Sequence, residues 1–409
     1  VLARLKAKLQ YVQVDLTKEE GYKALKAVTD PKKRIPVSYF ATAPSLFGNI
    51  CKGLSIAGLS AEPARVVLEK PIGHDLASSK VINDEVAKYF GECQIYRIDH
   101  YLGKETVLNL LALRFANSIF AANWDHNAID HVQITVAEEV GVEGRWGYYD
   151  DAGQMRDMVQ NHLLQVLSLI AMEPPARLDA DSIRDEKLKV LKALRPINVS
   201  NVQEKTVRGQ YAGGYVTGTP VPGYLDEEDA RPNSKTETFV AIKVDIDNWR
   251  WAGVPIYLRT GKKMPETVLE VIVEFKQPPR ALFGKAESNQ VRFRLGKDDG
   301  VDISLQATKP ATKLVSETVD LSVEFFTEFG DRQGPYERLL RAAMLGDHFR
   351  FTRIDAVLHS WAILEEILKS PHRCHPYFEG TWGPDEAEEL IPGGWNPVGS
   401  EADEIKLSH

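Results

Sequence analysis

The chain has 409 residues, of which 43% are hydrophobic and 26% charged, with a formal net charge of −8. This length predicts two or three domains with a large core, and an acidic balance without a Lys/Arg-rich run argues against nucleic acid as a partner. Three widely spaced cysteines (Cys51, Cys93, Cys374) indicate reduced thiols in a cytoplasmic protein, and the absence of any apolar run near ~18 residues argues against a membrane span.

Residues 1–98 alternate between short apolar strands and helices. The first predicted helix starts at the capping box Thr17-Lys18-Glu19-Glu20 and runs towards Val28. A second follows the Ala43-Pro44-Ser45 turn, and a third spans Asp75–Tyr89. The predicted strands are Tyr11–Leu16, Arg34–Thr42, Ala64–Glu69 and Cys93–Ile98. This alternation predicts an α/β domain with a doubly wound, Rossmann-like parallel sheet.

A polar group lies between the strand Cys93–Ile98 and a helix predicted over Gly103–Phe115. It contains Asp99, His100, Tyr101 and Lys104. Ligands collect at the carboxyl edge of such a sheet, and the start of a helix suits a phosphate. An ordinary helix start with a surface lysine and a hydrogen-bonded core histidine is the alternative interpretation.

The pattern changes after residue 115. His131–Ala137 alternates strictly and predicts a half-buried strand, and Ala152–Ala171 predicts one long helix. Six further strands follow with little helix between them: 237–246, 255–259, 270–275, 291–295, 301–305 and 319–324. Residues 99–409 are therefore predicted to form a larger α+β domain with a big antiparallel sheet, and residues 1–98 the first domain.

The long helix carries polar residues into an otherwise apolar stretch. Asp157, Gln160, Asn161 and His162 precede the run LLQVLSLIAM, and buried polar groups need partners. His162 is a candidate general base whose pKa a carboxylate would tune, and a structural hydrogen-bond network is the alternative.

Other charged residues close predicted strands. Lys70 precedes Pro71 at the end of one strand. Its ammonium either projects into the crevice between the two predicted domains, or it is a surface lysine before a turn. Either Glu138 or Glu139 is expected to point inward after the alternating strand. Lys262 lies in the cationic turn Arg259–Lys263.

Two further groups are weaker candidates. His372–His375 resembles a metal-ligand cluster, but no second ligand group follows at zinc spacing, so no metal is expected. The pair Asp150 and Asp151 could serve a glycosidase, yet adjacent residues point apart. The sequence contains neither a G-x-G-x-x-G motif nor a Walker A loop.

Several long motifs together resemble the bacterial type of glucose-6-phosphate dehydrogenase. They are EKPIG (69–73), RIDHYLGKE (97–105), AEEVGVEGR (137–145), RDMVQNH (156–162), FVAIKVDIDNWRWAGVPIYLRTGK (239–262) and GTWGP (380–384). The resemblance runs from about residue 10 to residue 384. It implies oxidation of glucose 6-phosphate to 6-phosphoglucono-1,5-lactone with NADP as cofactor, the first step of the oxidative pentose phosphate pathway.

The resemblance also implies roles for individual residues. His162 would be the base, and Asp99 would orient it by the logic of a Ser–His–Asp triad. Residues matching phosphate-binding and sugar-binding positions are His100, Tyr101, Lys104, Glu138, Asp157 and Lys262. Lys70 would touch both substrate and cofactor, and Asp15 and Pro44 would contact the cofactor.

Three departures from the family pattern accompany these matches. Thr267 stands where the family usually has Lys or Arg, and Gly296 where it often has Gln. The family's amino-terminal glycine turn and the arginine for the 2′-phosphate are absent from the sequence, so we expect an amino-terminally incomplete coenzyme domain. The residues themselves do not determine whether the cofactor is NADP or NAD.

Two classes of function follow. The first is an active dehydrogenase, a cytoplasmic homodimer or homotetramer with no nucleic-acid or membrane partner. The second is a binding module that keeps the sugar-phosphate site without turnover. The combination of His162, Asp99, Lys70 and Asp157 favours the enzyme, because a binder needs neither a base nor a carboxylate to orient it.

Overall fold

The computed structural model describes residues 2–227, 230–280, 282–283, 287–308, 315–325, 333–371 and 373–402. Its α-helices are α1 (Leu2–Lys6), α2 (Gly21–Thr29), α3 (Phe47–Ile56), α4 (Leu76–Ala87), α5 (His100–Gly103), α6 (Glu105–Ala116), α7 (Ser118–Ala121), α8 (Trp146–Gln154), α9 (Leu164–Ala171), α10 (Ala180–Ala193), α11 (Val202–Lys205), α12 (Pro335–Leu345) and α13 (Ile354–Lys369). A π-helix spans Met155–Leu163 between α8 and α9.

The strands of the described residues are β1 (Val37–Phe40), β2 (Arg65–Leu68), β3 (Ile95–Arg97), β4 (Ile129–Ala137), β5 (Thr206–Ala212), β6 (Gly214–Val216), β7 (Thr219–Val221), β8 (Phe239–Asp245), β9 (Pro255–Gly261), β10 (Val268–Phe275), β11 (Gln290–Arg294), β12 (Gly300–Thr308), β13 (Ser316–Glu324) and β14 (Cys374–Phe378). Short 3₁₀ turns lie at Pro44–Leu46, Glu92–Gln94, Tyr224–Asp226 and Asp385–Leu390. None of the described helices combines the length and apolar character needed to cross a membrane.

The chain divides into two compact units. The first comprises Val1–Gly103, Arg177–Arg184 and Gly334–Trp361, and the second comprises Lys104–Ala176, Asp185–Gln333 and Ala362–His409. Both therefore contain segments that are distant in sequence. The domain boundary after residue 98 stays a prediction.

The first unit contains a parallel sheet in the order β1-β2-β3. Leu68 of β2 lies opposite Phe40 of β1 and Arg97 of β3, so the three strands end level with one another. Val66, Val67 and Leu68 are fully buried, as expected of a strand covered on both faces. The parallel α/β domain predicted from the alternation is confirmed.

Two predictions for the amino-terminal segment are wrong. Residues 11–15 are irregular rather than a strand: Tyr11 is 89% exposed, and no described strand pairs with this segment. Helix α2 begins at Gly21 and not near Thr17, because Asp15 Oδ1 accepts hydrogen bonds from the backbone N–H and the hydroxyl of Thr17. This local turn competes with helix formation.

The second unit contains a nine-stranded sheet in the order β13-β12-β11-β10-β4-β9-β8-β5-β14. Most neighbours are antiparallel, which confirms the predicted large sheet, but β4–β9 and β5–β14 are parallel. A parallel pair requires a long crossover, and more than a hundred residues separate β4 from β9. Sequence periodicity could not reveal this pairing.

Strand β4 is buried on both faces, whereas its alternation predicted one solvated face. Every residue from His131 to Ala137 is buried. The face carrying Gln133 is covered by the carboxyl-terminal segment, whose Asn396 backbone N–H donates to Gln133 Oε1 at 2.9 Å. Trp395 from this segment also lies over the guanidinium of Arg259 on β9, at 4.3 Å. Because the segment that covers β4 is distant in sequence, the pattern of residues within β4 does not reveal it.

Candidate functional site

Three predicted site positions of the first unit follow the three parallel strands. Pro44 begins the 3₁₀ turn after β1, Lys70 follows β2, and Asp99 follows β3. Because the strands end level, these residues leave the sheet at the same carboxyl edge. That edge is where open α/β sheets bind ligands.

Asp99 starts a helical turn. It is 4% exposed, and its Oδ1 accepts a hydrogen bond from the backbone N–H of Tyr101 at 2.9 Å. The helix predicted over Gly103–Phe115 is α6, which begins two residues later, at Glu105; α5 precedes it, and Lys104 lies between them in extended conformation. Tyr101 is buried, and the His100 ring lies 4.9 Å from the Tyr101 ring.

The remaining first-unit candidates differ in their surroundings. Lys70 is half-buried, and its backbone N–H donates to Glu69 Oε2 at 3.3 Å. Asp15 is half exposed and forms an ion pair with Lys18 at 3.2 Å. Hydrogen bonds from Thr17, together with Lys18, lower the pKa of the Asp15 carboxyl to about 2, so this group remains anionic at neutral pH.

In the second unit, Glu138 and Lys262 form an ion pair. They follow the parallel strands β4 and β9, in which Ala137 lies opposite Gly261, so both leave the sheet at one edge. Lys262 Nζ donates to Glu138 Oε2 at 2.8 Å. Glu139 instead accepts a hydrogen bond from the Thr267 hydroxyl at 3.3 Å. Glu138 is therefore the inward-facing glutamate that parity alone did not identify.

Two tyrosines of α8 extend this group. Lys262 is 1% exposed, and its ammonium lies 5.3 Å from the centre of the Tyr149 ring. The Tyr148 hydroxyl donates to Asp157 Oδ1 at 3.2 Å, and burial, with the nearby Asp157 charge, raises the pKa of Tyr148. Both tyrosines escaped the sequence interpretation, although the run Trp146-Gly147-Tyr148-Tyr149 directly precedes the polar helix.

The single helix predicted over Ala152–Ala171 is interrupted. Gly153 has φ of 68°, which ends the regular α8 geometry, and a π-helix follows before α9 begins. Glu237, 5% exposed, accepts a hydrogen bond from the first π-helical N–H, that of Met155, at 3.1 Å. A Cβ atom on Gly153 would lie 2.7 Å from Glu237 Oε1, so glycine is required there.

The candidate base His162 lies within this π-helix. Its side chain is fully buried, and its backbone N–H donates to Asn161 Oδ1 at 2.6 Å. Asp157 lies in the same π-helix, and α9, entirely buried, follows it. π-Helical segments occur frequently at functional sites because their wider turns redirect side chains.

The weaker candidates have structural partners. Arg231 forms ion pairs with Asp150 at 3.3 Å and Asp151 at 2.6 Å, which accounts for this acidic pair. His375 lies 2.6 Å from Glu386, and His372 lies outside the described residues. Among the residues that the structure describes, no group of three or more His, Cys, Asp or Glu could hold a metal ion.

Two family models match the chain. The glucose-6-phosphate dehydrogenase NAD binding domain matches residues 1–109, and the glucose-6-phosphate dehydrogenase C-terminal domain matches residues 111–394. The glucose-6-phosphate 1-dehydrogenase of Dickeya dadantii is 53% identical over 96% of the chain and 83% of its own length. That of Rhizobium meliloti is 47% identical over 94% of the chain and 80% of its own length.

Solved structures agree with these matches. Glucose-6-phosphate 1-dehydrogenase from Mycobacterium avium superposes with a TM-score of 0.86 at 39% identity, covering 97% of this chain and 84% of that one. A glucose-6-phosphate dehydrogenase in complex with its substrate glucose-6-phosphate also gives 0.86, at 36% identity, with 94% and 82% covered. The chain therefore belongs to the glucose-6-phosphate dehydrogenase family.

Proposed function

We propose that this chain oxidises glucose 6-phosphate to 6-phospho-D-glucono-1,5-lactone with NADP, the first step of the oxidative pentose phosphate pathway, and that His162 is the general base. The observation that carries the reaction is family membership over nearly the whole chain, with relatives at 46–53% identity that bear the name of this activity. The reaction predicted from the sequence resemblance is thereby confirmed. The residue roles are our proposal.

The proposed chemistry requires one proton acceptor. The imidazole of His162 takes the proton of the C1 hydroxyl while the C1 hydrogen leaves as hydride, and C1–O becomes the lactone carbonyl. Asp99 is the proposed partner of this base, favouring the protonated imidazole as the transition state develops. Its burial after β3 supports the role, because a carboxylate acts more strongly when shielded from water.

The sugar hydroxyls are assigned to Glu138, Lys262 and Asp157. The Glu138 carboxylate accepts hydrogen bonds and the Lys262 ammonium donates them. Both groups can therefore exchange the hydrogen bond between them for hydrogen bonds to the hydroxyls of a sugar. The phosphate is assigned to His100, Tyr101 and Lys104, which provide charged and neutral donors suited to phosphate oxygens.

The cofactor assignment rests on the carboxyl edge of the parallel sheet. Lys70 and the Pro44 turn, which follow adjacent strands at that edge, fit a dinucleotide, and the anionic Asp15 suits a hydroxyl and not a phosphate. NADP, when bound, supplies the hydride acceptor. Lys70 would hold both cofactor and substrate through its ammonium group.

We further infer a cytoplasmic homodimer or homotetramer without nucleic-acid or membrane partners. The described cysteines are unpaired, which suits a reducing compartment, and the net charge of −8 disfavours binding to nucleic acid. Val319, Leu321 and Val323 on the edge strand β13 are each about half exposed, which supports association between copies. Light scattering on the purified protein would give the mass of the assembly.

The test of the proposed function compares two substrates. Purified full-length protein should form NADPH from glucose 6-phosphate and discriminate strongly against glucose. Lys104→Ala should weaken use of the phosphorylated sugar far more than use of glucose, because only the former carries the charge that the ammonium binds. Equal losses for both sugars would show that Lys104 does not bind the phosphate group. Binding of glucose 6-phosphate without turnover would favour the binding module.

A further inference from the structure

Glu69 lies immediately before Lys70 and is held by a tyrosine. The Tyr39 hydroxyl of β1 donates a hydrogen bond to Glu69 Oε1. The other carboxylate oxygen, Oε2, accepts the backbone N–H of Lys70 at 3.3 Å. One carboxylate thus connects the end of β1 to the residue that the proposed function places on both cofactor and substrate.

A second tyrosine approaches the same carboxylate from a distant part of the chain. Burial raises the pKa of the Tyr336 phenol, and the charge of Glu69 and a hydrogen bond to it raise it further. Burial and Glu69 likewise raise the pKa of Tyr39. Both phenols therefore stay protonated at neutral pH, and Tyr39 donates its proton directly to the Glu69 carboxylate.

The helix that carries Tyr336 is itself fixed within the first unit. Helix α12 begins at Pro335, and Arg338 donates to the carbonyl of Gly103 at 3.3 Å. A Cβ atom on Gly103 would lie 2.8 Å from the carbonyl oxygen of Pro335, so the contact between α12 and α5 is close. Packing therefore sets the backbone position of Tyr336, which stays 45% exposed.

We propose that Glu69, held by the hydroxyl of Tyr39 and bonded to the backbone N–H of Lys70, is a positioning residue that fixes Lys70 at the carboxyl edge of the parallel sheet. The Tyr39 hydroxyl on β1 restricts the carboxylate, and the carboxylate restricts the backbone of Lys70. Glu69 acts through Lys70 and makes no contact of its own with substrate or cofactor. This inference rests on the proposed function, which gives Lys70 its role.

A double-mutant cycle between Glu69 and Lys70 tests the inference. Glu69→Gln keeps the size of the side chain and removes its charge. It should raise KM for NADP by about 2- to 150-fold, the range that coupling energies between contacting groups span, with a smaller change in kcat and an almost unchanged melting temperature. Tyr39→Phe and Tyr336→Phe should each reproduce part of the effect. Tyr215→Phe, at an exposed site of the second unit, should not.

The decisive comparison uses the Lys70→Ala background. There, Glu69→Gln should cause no further rise in KM, because the residue through which it acts is gone. A rise by the same factor in both backgrounds, or no rise in either, would overturn the inference while leaving Lys70 in its role. Unchanged KM values for Lys70→Ala alone would overturn the role of Lys70 itself, and the positioning inference with it.

Discussion

Lys262 Nζ and Glu138 Oε2 lie 2.8 Å apart. The two residues follow β9 and β4, which are parallel neighbours in a mainly antiparallel sheet. The ammonium is almost fully buried, whereas the Glu138 side chain is 29% exposed. The pair thus places one charge inside the unit and leaves the other within reach of a ligand.

This asymmetry predicts different costs for removing either partner. Glu138→Ala should lower the free energy of unfolding by about 1–3 kcal/mol, because it leaves a buried ammonium without its acceptor. Lys262→Met should cost less, because it removes the buried charge and leaves a partly solvated carboxylate. Urea unfolding of both variants measures the difference. Equal losses of unfolding free energy in the two variants would contradict this expectation, because the partly solvated carboxylate would then need its partner as much as the buried ammonium does.

Both substitutions should also raise KM for glucose 6-phosphate, because each removes a proposed contact to a sugar hydroxyl. Kinetic constants measured below the unfolding transition separate this effect from the loss of stability. An unchanged KM in both variants would exclude the pair from the sugar site.

The π-helix predicts an effect at Gly153. Gly153→Ala should destabilise the protein by more than about 1 kcal/mol, because φ of 68° disfavours a side chain and the new methyl group would meet Glu237. It should also lower kcat, because the π-helix that begins two residues later carries His162.

Gly147→Ala provides the matched control on the same helix. A Cβ atom at Gly147 would meet nothing within 4 Å, so this variant should retain activity and gain up to about 0.5–1 kcal/mol of stability. The melting temperatures of the two alanine variants should therefore move in opposite directions, and only Gly153→Ala should lose kcat. A fully active Gly153→Ala protein would show that catalysis does not depend on the geometry of the π-helix.

Thr267 stands where the family usually has a cation, and the carboxylate of Glu139 lies next to it. Its hydroxyl accepts the backbone N–H of Glu139 at 3.2 Å and lies 3.3 Å from the Glu139 carboxylate. Thr267→Lys should lower KM for glucose 6-phosphate, but part of the gain is lost because the new ammonium pairs with Glu139.

Combining Thr267→Lys with Glu139→Gln should lower KM further than Thr267→Lys alone, since the competing carboxylate is gone. Steady-state kinetics at low ionic strength would make the difference largest. No change in either variant would show that another residue already neutralises the phosphate.

The sequence predicted the elements whose signals are local. The apolar strands preceding Lys70 and Asp99, and the alternation of β4, were sufficient to place these elements along the chain. What failed depended on distant neighbours. The strand predicted over Tyr11–Leu16 has no partner among the described strands, and β4 is covered by Asn396 and Trp395 from the carboxyl-terminal segment.

The candidate site shows the same division. The motif containing His162 was recognisable from its residues, but its π-helical geometry depends on Gly153 and on Glu237, which lies 84 positions beyond that glycine. The choice of Glu138 over Glu139 required knowing that β4 and β9 are parallel. Neither pairing leaves a trace in local periodicity, because both join segments far apart along the chain.

The proposed role of His162 as the acceptor of the C1 proton is tested most directly by substituting this residue. His162→Asn should lower kcat by roughly 10²–10⁴ while KM for glucose 6-phosphate changes little, since the phosphate contacts are assigned elsewhere. His359→Asn, at a partly buried histidine on α13 with no assigned role, serves as the control and should retain kcat. A near-normal kcat with a large rise in KM for His162→Asn would contradict the account and make His162 a binding residue.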